Sequence, residues 1–190
     1  SGALPPGFPP VLIDGEEYWD GGLVSNTPLQ YVLDGSEHRD DMCVFQIDLF
    51  PAKGPMPETL FDIGQREKDI RYASRSERAI ATYRRAHNLR RAVKAMWSRL
   101  PASARAEPEL EQLSWLGCTT TMQIVHLIYQ NEKYETASKD YEFSRTSIAE
   151  HRVAGYRDAM RAIAERRWEE PVPPHVGVMV HEYPPRNVGL

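Results

Sequence analysis

The apolar side chains of this chain fall into short continuous runs and into longer stretches with helical spacing. Residues 42–50 form a nearly continuous apolar run, which predicts a parallel-type strand in a sheet interior, with both faces covered. Cys43 lies inside that run and is therefore expected to be a buried small hydrophobe. Residues 119–129, which are rich in β-branched side chains, and the alternating residues 176–180 predict two further strands.

Helical spacing dominates the chain after residue 57. Residues 58–100 predict helix in two or more pieces, and their last part carries one apolar stripe with i, i+4, i+7, i+8, i+11 spacing. That stripe consists of Leu89, Val93, Met96, Trp97 and Leu100. A short helix is predicted at 109–116 and a long one at 145–168. The buried side of the long helix is expected to include Ile148, Ala159, Ala162 and Ile163.

A proline-rich segment at 51–57 indicates a linker, and the main boundary of the chain is placed there. The first part is then 1–57, and the second part, 58–190, is mostly helical. Strands and helices occur on both sides of the boundary, which predicts an α/β fold. We expect a partial sheet with flanking helices in the first part, and a helical module that returns one or two strands to the same sheet.

The composition is that of a globular protein, since 41% of the 190 residues are hydrophobic and 26% are charged. No run of 18 apolar residues is present, so no transmembrane helix is predicted, and no signal peptide is visible. Two cysteines are too few for a disulfide framework and favour a reducing compartment. We therefore expect a cytoplasmic protein, with a peripheral position at a membrane as a further option.

The net charge of −4 conceals a strongly basic segment at residues 66–99. That segment contains eleven basic and three acidic residues, so it carries +8 and leaves −12 on the rest of the chain. It could be a solvated helix face that pairs with the acidic remainder, or it could bind an anionic membrane surface. Aromatic residues are sparse in it, so nucleic acid is not an expected partner.

The stretch around Asp20 combines a strand end, a tight loop and a helix start. Asp14-Gly15 between two short runs is typical of a β-hairpin turn, and the returning strand ends at Asp20. Gly21 and Gly22 let the backbone turn and let another segment approach closely. Capping residues and a proline at 26–28 then predict the start of a helix.

Asp20 has two interpretations. Its carboxylate could accept the proton of a nucleophilic hydroxyl within about 2.6–3.2 Å, or it could only cap a turn. We expect Asn26 to support the loop by hydrogen bonds. Ser25, the nearest serine, lacks the glycine-flanked elbow that exposes a nucleophile, so a structural role at the helix start is favoured.

The histidines and cysteines show no metal-ligand spacing, so no metal and no cofactor is predicted. His126 lies in an apolar strand and is expected to be a hydrogen-bonded core residue. Asp48, near the end of its strand, could be a second buried acid. A Ser-His-Asp triad that uses His126 or His151 stays open, because such triads are defined by geometry and not by chain order.

A resemblance to patatin-like phospholipases rests first on the motif Asp20-Gly21-Gly22. It is followed by Ser25-Asn26-Thr27-Pro28-Leu29 and preceded by Ser1-Gly2-Ala3-Leu4-Pro5-Pro6, which is similar to the second catalytic motif of that family. The block from Lys139 to Arg145 and the pair Glu150-His151 resemble the C-terminal region of a bacterial branch. The chain departs from the family in having no Gly-x-Ser-x-Gly sequence and no Gly-rich oxyanion loop.

The resemblance implies a patatin-like fold and hydrolysis of a lipid acyl ester by a Ser-Asp dyad. Asp20 would be the general base, and Gly21, Gly22 and Asn26 would form its supporting loop. The nucleophilic serine would lie outside this chain, which alone would be inactive. The implied partners are a lipid or acyl ester substrate and the N-terminal half of the same protein, and a second copy of the chain is a further candidate.

A non-catalytic module is the alternative interpretation. In it the helices and the basic segment mediate oligomerisation or docking, and Asp20 is only a turn residue. An Asp20 that faces an open apolar cleft would favour the enzyme. A closed and self-sufficient core would favour the module.

Overall fold

The computed structural model of the chain describes residues 2–34, 41–129, 142–173 and 175–183. Three sequence predictions fall outside these residues: Asp34-Gly35-Ser36 predicts the stop of the first helix, the polar composition of 131–140 predicts a loop, and 184–190 are predicted to be a tail. Within them the elements are β1 (Val11–Ile13), β2 (Glu16–Tyr18), α1 (Leu29–Asp34), β3 (Met42–Asp48), α2 (Leu60–Arg99), α3 (Ala102–Arg105), α4 (Pro108–Leu116), β4 (Met122–Ile128), α5 (Arg145–Glu165) and β5 (Val178–Tyr183).

The main sheet consists of three parallel strands in the order β3-β4-β5. β3 and β4 pair along seven residues, from Met42 opposite Met122 to Asp48 opposite Ile128. The chain segments before and after the proline-rich linker therefore contribute to one sheet. The predicted α/β class is confirmed, because helices flank a parallel sheet. β1 and β2 form the separate antiparallel hairpin that the Asp14-Gly15 turn predicts.

β3 lies at an edge of this sheet within the described residues. Its side chains alternate: Gln46 and Asp48 are buried, whereas Phe45 and Ile47 are 54% and 62% exposed. The prediction of an interior strand with both faces covered is therefore wrong in this structure, and so is the burial of Cys43, which is exposed. An apolar run favours a strand, but the neighbours that cover it are set by the tertiary structure.

A single helix of forty residues, α2, covers one face of the sheet. It begins at a capping box, in which Thr59 and Asp62 each accept a hydrogen bond from the other's backbone N–H. The predicted division into pieces is wrong, because no proline interrupts residues 60–99. The core between this helix, α1 and the sheet consists of Leu29, Ile80, Tyr83, Met122, Ile124 and Val178.

The C-terminal half of α2 packs mainly against α4. Of the predicted apolar stripe, Val93, Trp97 and Leu100 are half-buried, but Leu89 and Met96 are exposed. Fewer residues of the stripe are covered than its spacing indicates, since a single short helix packs against it. None of the helices in the described ranges has the length and apolar character needed to cross a membrane.

The opposite face of the sheet packs against α5 and the turn that follows it. Ala162 contacts a cluster with Val125 and Tyr183, and Trp168 packs at its border. α5 ends at Glu165, earlier than predicted, because Arg166 adopts a left-handed conformation with φ 46°. The buried residues of α5 are the small side chains Ala154 and Ala162. Ile148 and Ile163, which were predicted to be buried, are exposed instead.

Candidate active site

Asp20 follows β2 and caps a single turn of 3-10 helix at Gly21–Leu23. Its Oδ1 accepts a hydrogen bond of 2.7 Å from the Gly22 N–H, and its Oδ2 accepts one of 2.6 Å from the Gly2 N–H. The backbone N–H of Asp20 itself donates to the carbonyl of Ala3 at 3.0 Å. Backbone groups on two sides therefore fix the carboxylate in one orientation.

The same hydrogen bonds determine the charge of Asp20. The Gly22 N–H, and after it the Gly2 N–H, hold the pKa of this carboxyl below its usual range, although partial burial acts in the opposite direction. Asp20 is therefore a carboxylate at neutral pH. Each of its oxygens accepts one of these backbone hydrogen bonds and retains capacity for another.

The side chains of Asp20 and Asn26 lie so close to Gly22 that a larger residue there would crowd them, whereas the space around Gly21 is open. A Cβ on Gly22 would lie 2.9 Å from Asp20 Oδ1 and 3.4 Å from Asn26 Oδ1, whereas a Cβ on Gly21 would meet nothing within 4 Å. The sequence predicts a role for both glycines as a pair. The structure assigns the steric requirement to the second one.

The segment after Asp20, residues 20–27, is called the Asp20 loop from here on. The backbone N–H of Ser25 donates to the carbonyl of Gly21 at 2.9 Å and closes the turn. Asn26 is exposed, and its side-chain oxygen lies on the Gly22 side of the loop. Leu23 and Val24, together with Trp19 on the other side of Asp20, are exposed apolar side chains. Along the chain, exposed apolar side chains therefore flank Asp20 on both sides.

A second polar group lies in the core, and we call it the Asp48 network: Thr27, Ser76, Asp48 and His126. Asp48 Oδ2 is 3.0 Å from His126 Nε2, and Asp48 Oδ1 accepts a hydrogen bond of 3.2 Å from the Ser76 hydroxyl. The Ser76 hydroxyl is in turn 2.7 Å from the Thr27 hydroxyl. All but Thr27 are buried, so these groups satisfy one another out of contact with water.

The structure shows the surroundings of the two histidines that the sequence singled out. His126 is the hydrogen-bonded core residue that its apolar strand predicts, and its carboxylate partner is Asp48. His151 packs with its ring edge-to-face against Tyr129, with centroids 5.4 Å apart. The strand pattern predicts a buried acid and a buried histidine separately. Their pairing follows from the register of β3 and β4, and the parts played by Ser76 and Thr27 carry no signal in the sequence.

No group of three or more potential metal ligands occurs in the parts of the chain that the structure describes. The block 139–145, which contributes to the family resemblance, lies only partly within the described residues. Only its last residues are placed: Ser144 caps α5, where its side chain accepts a hydrogen bond from the Ser147 N–H.

Two family models match this chain. One, described as patatin-like phospholipase, covers residues 1–33 and therefore includes the Asp20 loop. The other, described as patatin phospholipase, covers residues 70–175, which is more than half of the chain. The chain belongs to the patatin-like phospholipase family. The resemblance stated from the Asp20 motif is thereby confirmed at the level of the family.

Patatin-like phospholipases are lipid acyl hydrolases, so the family assigns lipids as the class of substrate. In this patatin-like chain the first match contains the hairpin and the Asp20 loop, and the second contains most of α2 together with β4 and α5. A comparison with curated proteins and a comparison with solved structures gave no match.

Proposed function

We propose that this chain is the acid-bearing C-terminal part of a serine acylhydrolase that cleaves lipid acyl esters with a Ser-Asp dyad. Asp20 accepts the serine proton as the serine oxygen attacks the ester carbonyl. The acyl-serine bond forms, the ester C–O bond breaks, and the alcohol leaves with a proton. Water then hydrolyses the acyl-serine and regenerates both groups.

The observation that carries this proposal is the state of the Asp20 carboxylate. It is ionised and held by two backbone N–H groups, and exposed apolar side chains flank it along the chain. A turn-capping aspartate needs only the bond to Gly22. The second bond, from Gly2, is a long-range contact that fixes the carboxylate beyond what a turn requires, as expected of a preorganised base.

The proposed nucleophile and oxyanion donors lie on a segment outside these 190 residues, which we propose to be the N-terminal half of the same protein. β3 is an edge strand among the described residues, and this edge, with the exposed side chains of Phe45 and Ile47 beside it, suits the addition of further sheet by that half. On this proposal the chain by itself has no hydrolase activity, because the members of a dyad act as a unit.

The test is Asp20→Asn in the full-length enzyme, assayed with a lipid ester. Turnover should fall to background while the thermal unfolding transition is retained. Asp14→Asn is the matched control, because Asp14 also precedes a glycine in a turn but lies outside the proposed site. Wild-type turnover by Asp20→Asn would refute the dyad and would favour the non-catalytic module.

A second proposed partner, an anionic membrane surface, is supported by the outer face of α2. Arg71, Arg75, Arg78 and Arg85 are all exposed, and their spacings of four, three and seven residues place them on one side of the helix. The buried residues of the helix, such as Ser76, Ile80 and Tyr83, lie on the other side. The helix is about 60 Å long, so this face could follow a lipid surface.

Vesicle binding tests this partner. The triple variant Arg75→Gln, Arg78→Gln, Arg85→Gln should bind vesicles of phosphatidylcholine and phosphatidylglycerol more weakly than the wild type does. The control variant Arg84→Gln, Arg145→Gln, Arg152→Gln removes the same charge from exposed positions elsewhere and should bind normally. Wild-type binding that did not weaken with added salt would contradict an electrostatic contact.

A further inference from the structure

In the part of the chain that the structure describes, hydrogen bonds attach the Asp20 loop to the rest of the fold at Asp20 itself and at Thr27. Asp20 is bonded to Gly2 and Ala3 through its carboxylate and its backbone N–H. The Thr27 hydroxyl lies 2.7 Å from the Ser76 hydroxyl in the middle of α2. Thr27 is thus the residue at which the loop joins the buried Asp48 network.

The direction of the hydrogen bonds in this network follows from the number of protons available. A carboxylate only accepts, so Ser76 donates its single hydroxyl proton to Asp48 Oδ1. Ser76 can therefore interact with Thr27 only as an acceptor, and the Thr27 hydroxyl must be the donor. The two hydroxyl bonds point the same way, from the loop toward the buried carboxylate of Asp48.

The other oxygen of Asp48 is occupied by His126. Its Nε2 must carry the proton in a bond to the carboxylate. Its Nδ1 is buried and has no hydrogen-bond partner among the described residues. Both oxygens of Asp48 are then engaged, which holds the carboxylate rigidly between β4 and α2.

We infer that Thr27, Ser76 and Asp48 are positioning residues for Asp20, the proposed general base, with His126 holding Asp48 in place. The inference rests on the proposed function of Asp20. The network ties the C-terminal end of the Asp20 loop to the sheet and to α2, so the distance from Asp20 to a nucleophile is set by the rigid core. Loss of the tie lets the loop shift, and small displacements at a reacting centre can lower the rate by up to about a hundredfold.

The first test compares Thr27→Val with Thr27→Ser in the full-length enzyme. Valine has the shape of threonine without the donor, and kcat should fall by about tenfold or more while KM changes by less than about twofold. Serine keeps the donor and should restore kcat to within about twofold of the wild type. Thr146→Val, at an exposed position on α5, is the matched control and should keep wild-type kcat.

A second variant covers the case in which Thr27→Val does not fold. Ser76→Ala breaks the same chain one step further from the loop and should also lower kcat with little effect on KM. Its control is Ser98→Ala, since the Ser98 hydroxyl donates to the carbonyl of Ala95 within the same helix. Wild-type kcat in both Thr27→Val and Ser76→Ala would overturn the inference, and so would a Thr27→Ser enzyme as slow as Thr27→Val.

Asp20→Asn, assayed in parallel, separates the two proposals. If Asp20→Asn retains turnover, the dyad itself is wrong and the network positions no catalytic group. If Asp20→Asn is inactive while the folded Thr27 and Ser76 variants keep kcat, the dyad stands and only the positioning role fails. A purely structural network would lower the thermal unfolding temperature and leave kcat of the folded enzyme unchanged.

Discussion

At the scale of single residues, the chemistry of this chain depends on how backbone groups surround a few polar side chains. Asp20 accepts hydrogen bonds from the N–H groups of Gly22 and Gly2, and these bonds keep it ionised. Asp48 is held by the side chains of Ser76 and His126 instead. One acid is therefore presented near the surface, and the other is part of the core.

Gly22 offers a direct test of the Asp20 geometry. In Gly22→Ala the new Cβ would lie 2.9 Å from Asp20 Oδ1, so the carboxylate must move and its bond to the residue 22 N–H must lengthen. The pKa of Asp20 should then rise toward its usual range, as measured by carbon-13 NMR titration of the carboxyl group. Gly21→Ala, in open space, should leave the pKa unchanged. Equal pKa shifts in the two variants would contradict the structure.

His181 gives a prediction about stability and pH. Its Nε2 is 2.8 Å from the Gln123 side-chain oxygen, and burial, followed by the nearby Arg167 charge, lowers its pKa. Below the unfolded-state pKa of about 6.5 the unfolded chain therefore binds more protons than the folded one. Neutral His181 in the folded state therefore contributes to the free energy of unfolding above about pH 6.5. That contribution should be lost as the pH falls from about 6.5 toward the folded pKa. Urea unfolding of wild type and His181→Gln checks it, and the variant should depend less on pH in that window.

At the scale of elements, the sequence predictions agree with the structure where local propensity decides the outcome. They differ from it where long-range contacts decide. Thr59 and Asp62 form the capping box that starts α2, and the absence of proline then lets the helix continue to Arg99. The hairpin, the short helix near 109–116 and both later strands lie close to their predicted places. The burial of β3, by contrast, depends on packing partners that are distant in sequence.

The contribution of the α2 capping box to the free energy of unfolding can be measured with variants of Thr59. Thr59→Ala removes the oxygen that accepts from the Asp62 N–H and should lower the free energy of unfolding by about 1 kcal/mol. Thr59→Ser keeps the oxygen and should restore most of this loss. Chemical denaturation provides the values. An alanine variant as stable as the wild type would show that the capping box contributes nothing in this context.

At the scale of the whole molecule, the parallel sheet is covered unequally. α2 and α5 cover the two faces near β4 and β5, but the outer face of β3 carries exposed Phe45 and Ile47. This arrangement agrees with the proposal that an N-terminal half completes the domain beside β3. The proposed dyad would then combine a serine from one half with Asp20 from the other.

Two isoleucines distinguish the covered face from the open one. Ile124→Ala should lower the free energy of unfolding by about 2–5 kcal/mol, because Ile124 is fully buried. Ile47→Ala should cost much less in the 190-residue chain, where that side chain is 62% exposed. In the full-length enzyme the cost of Ile47→Ala should rise clearly if the N-terminal half covers β3. An unchanged small cost there would argue against that docking site.

The sequence by itself determined the features that depend on neighbouring residues. The Asp14-Gly15 turn, the Asp20 motif, the helix start after Pro28 and the α/β class all follow from local chemistry and from patterns of apolar residues. It also carried the family, because the motif around Asp20 is local.

Only the tertiary structure decided which residues meet. It brought the Gly2 N–H into a hydrogen bond with the Asp20 carboxylate. It paired Asp48 with His126 through the strand register, and it brought together the hydroxyls of Thr27 and Ser76, which are 49 positions apart in the chain. It also exposed Cys43 and one face of β3. Such contacts join segments far apart in sequence, so their energies depend on packing and hydrogen-bond geometry that no local pattern encodes.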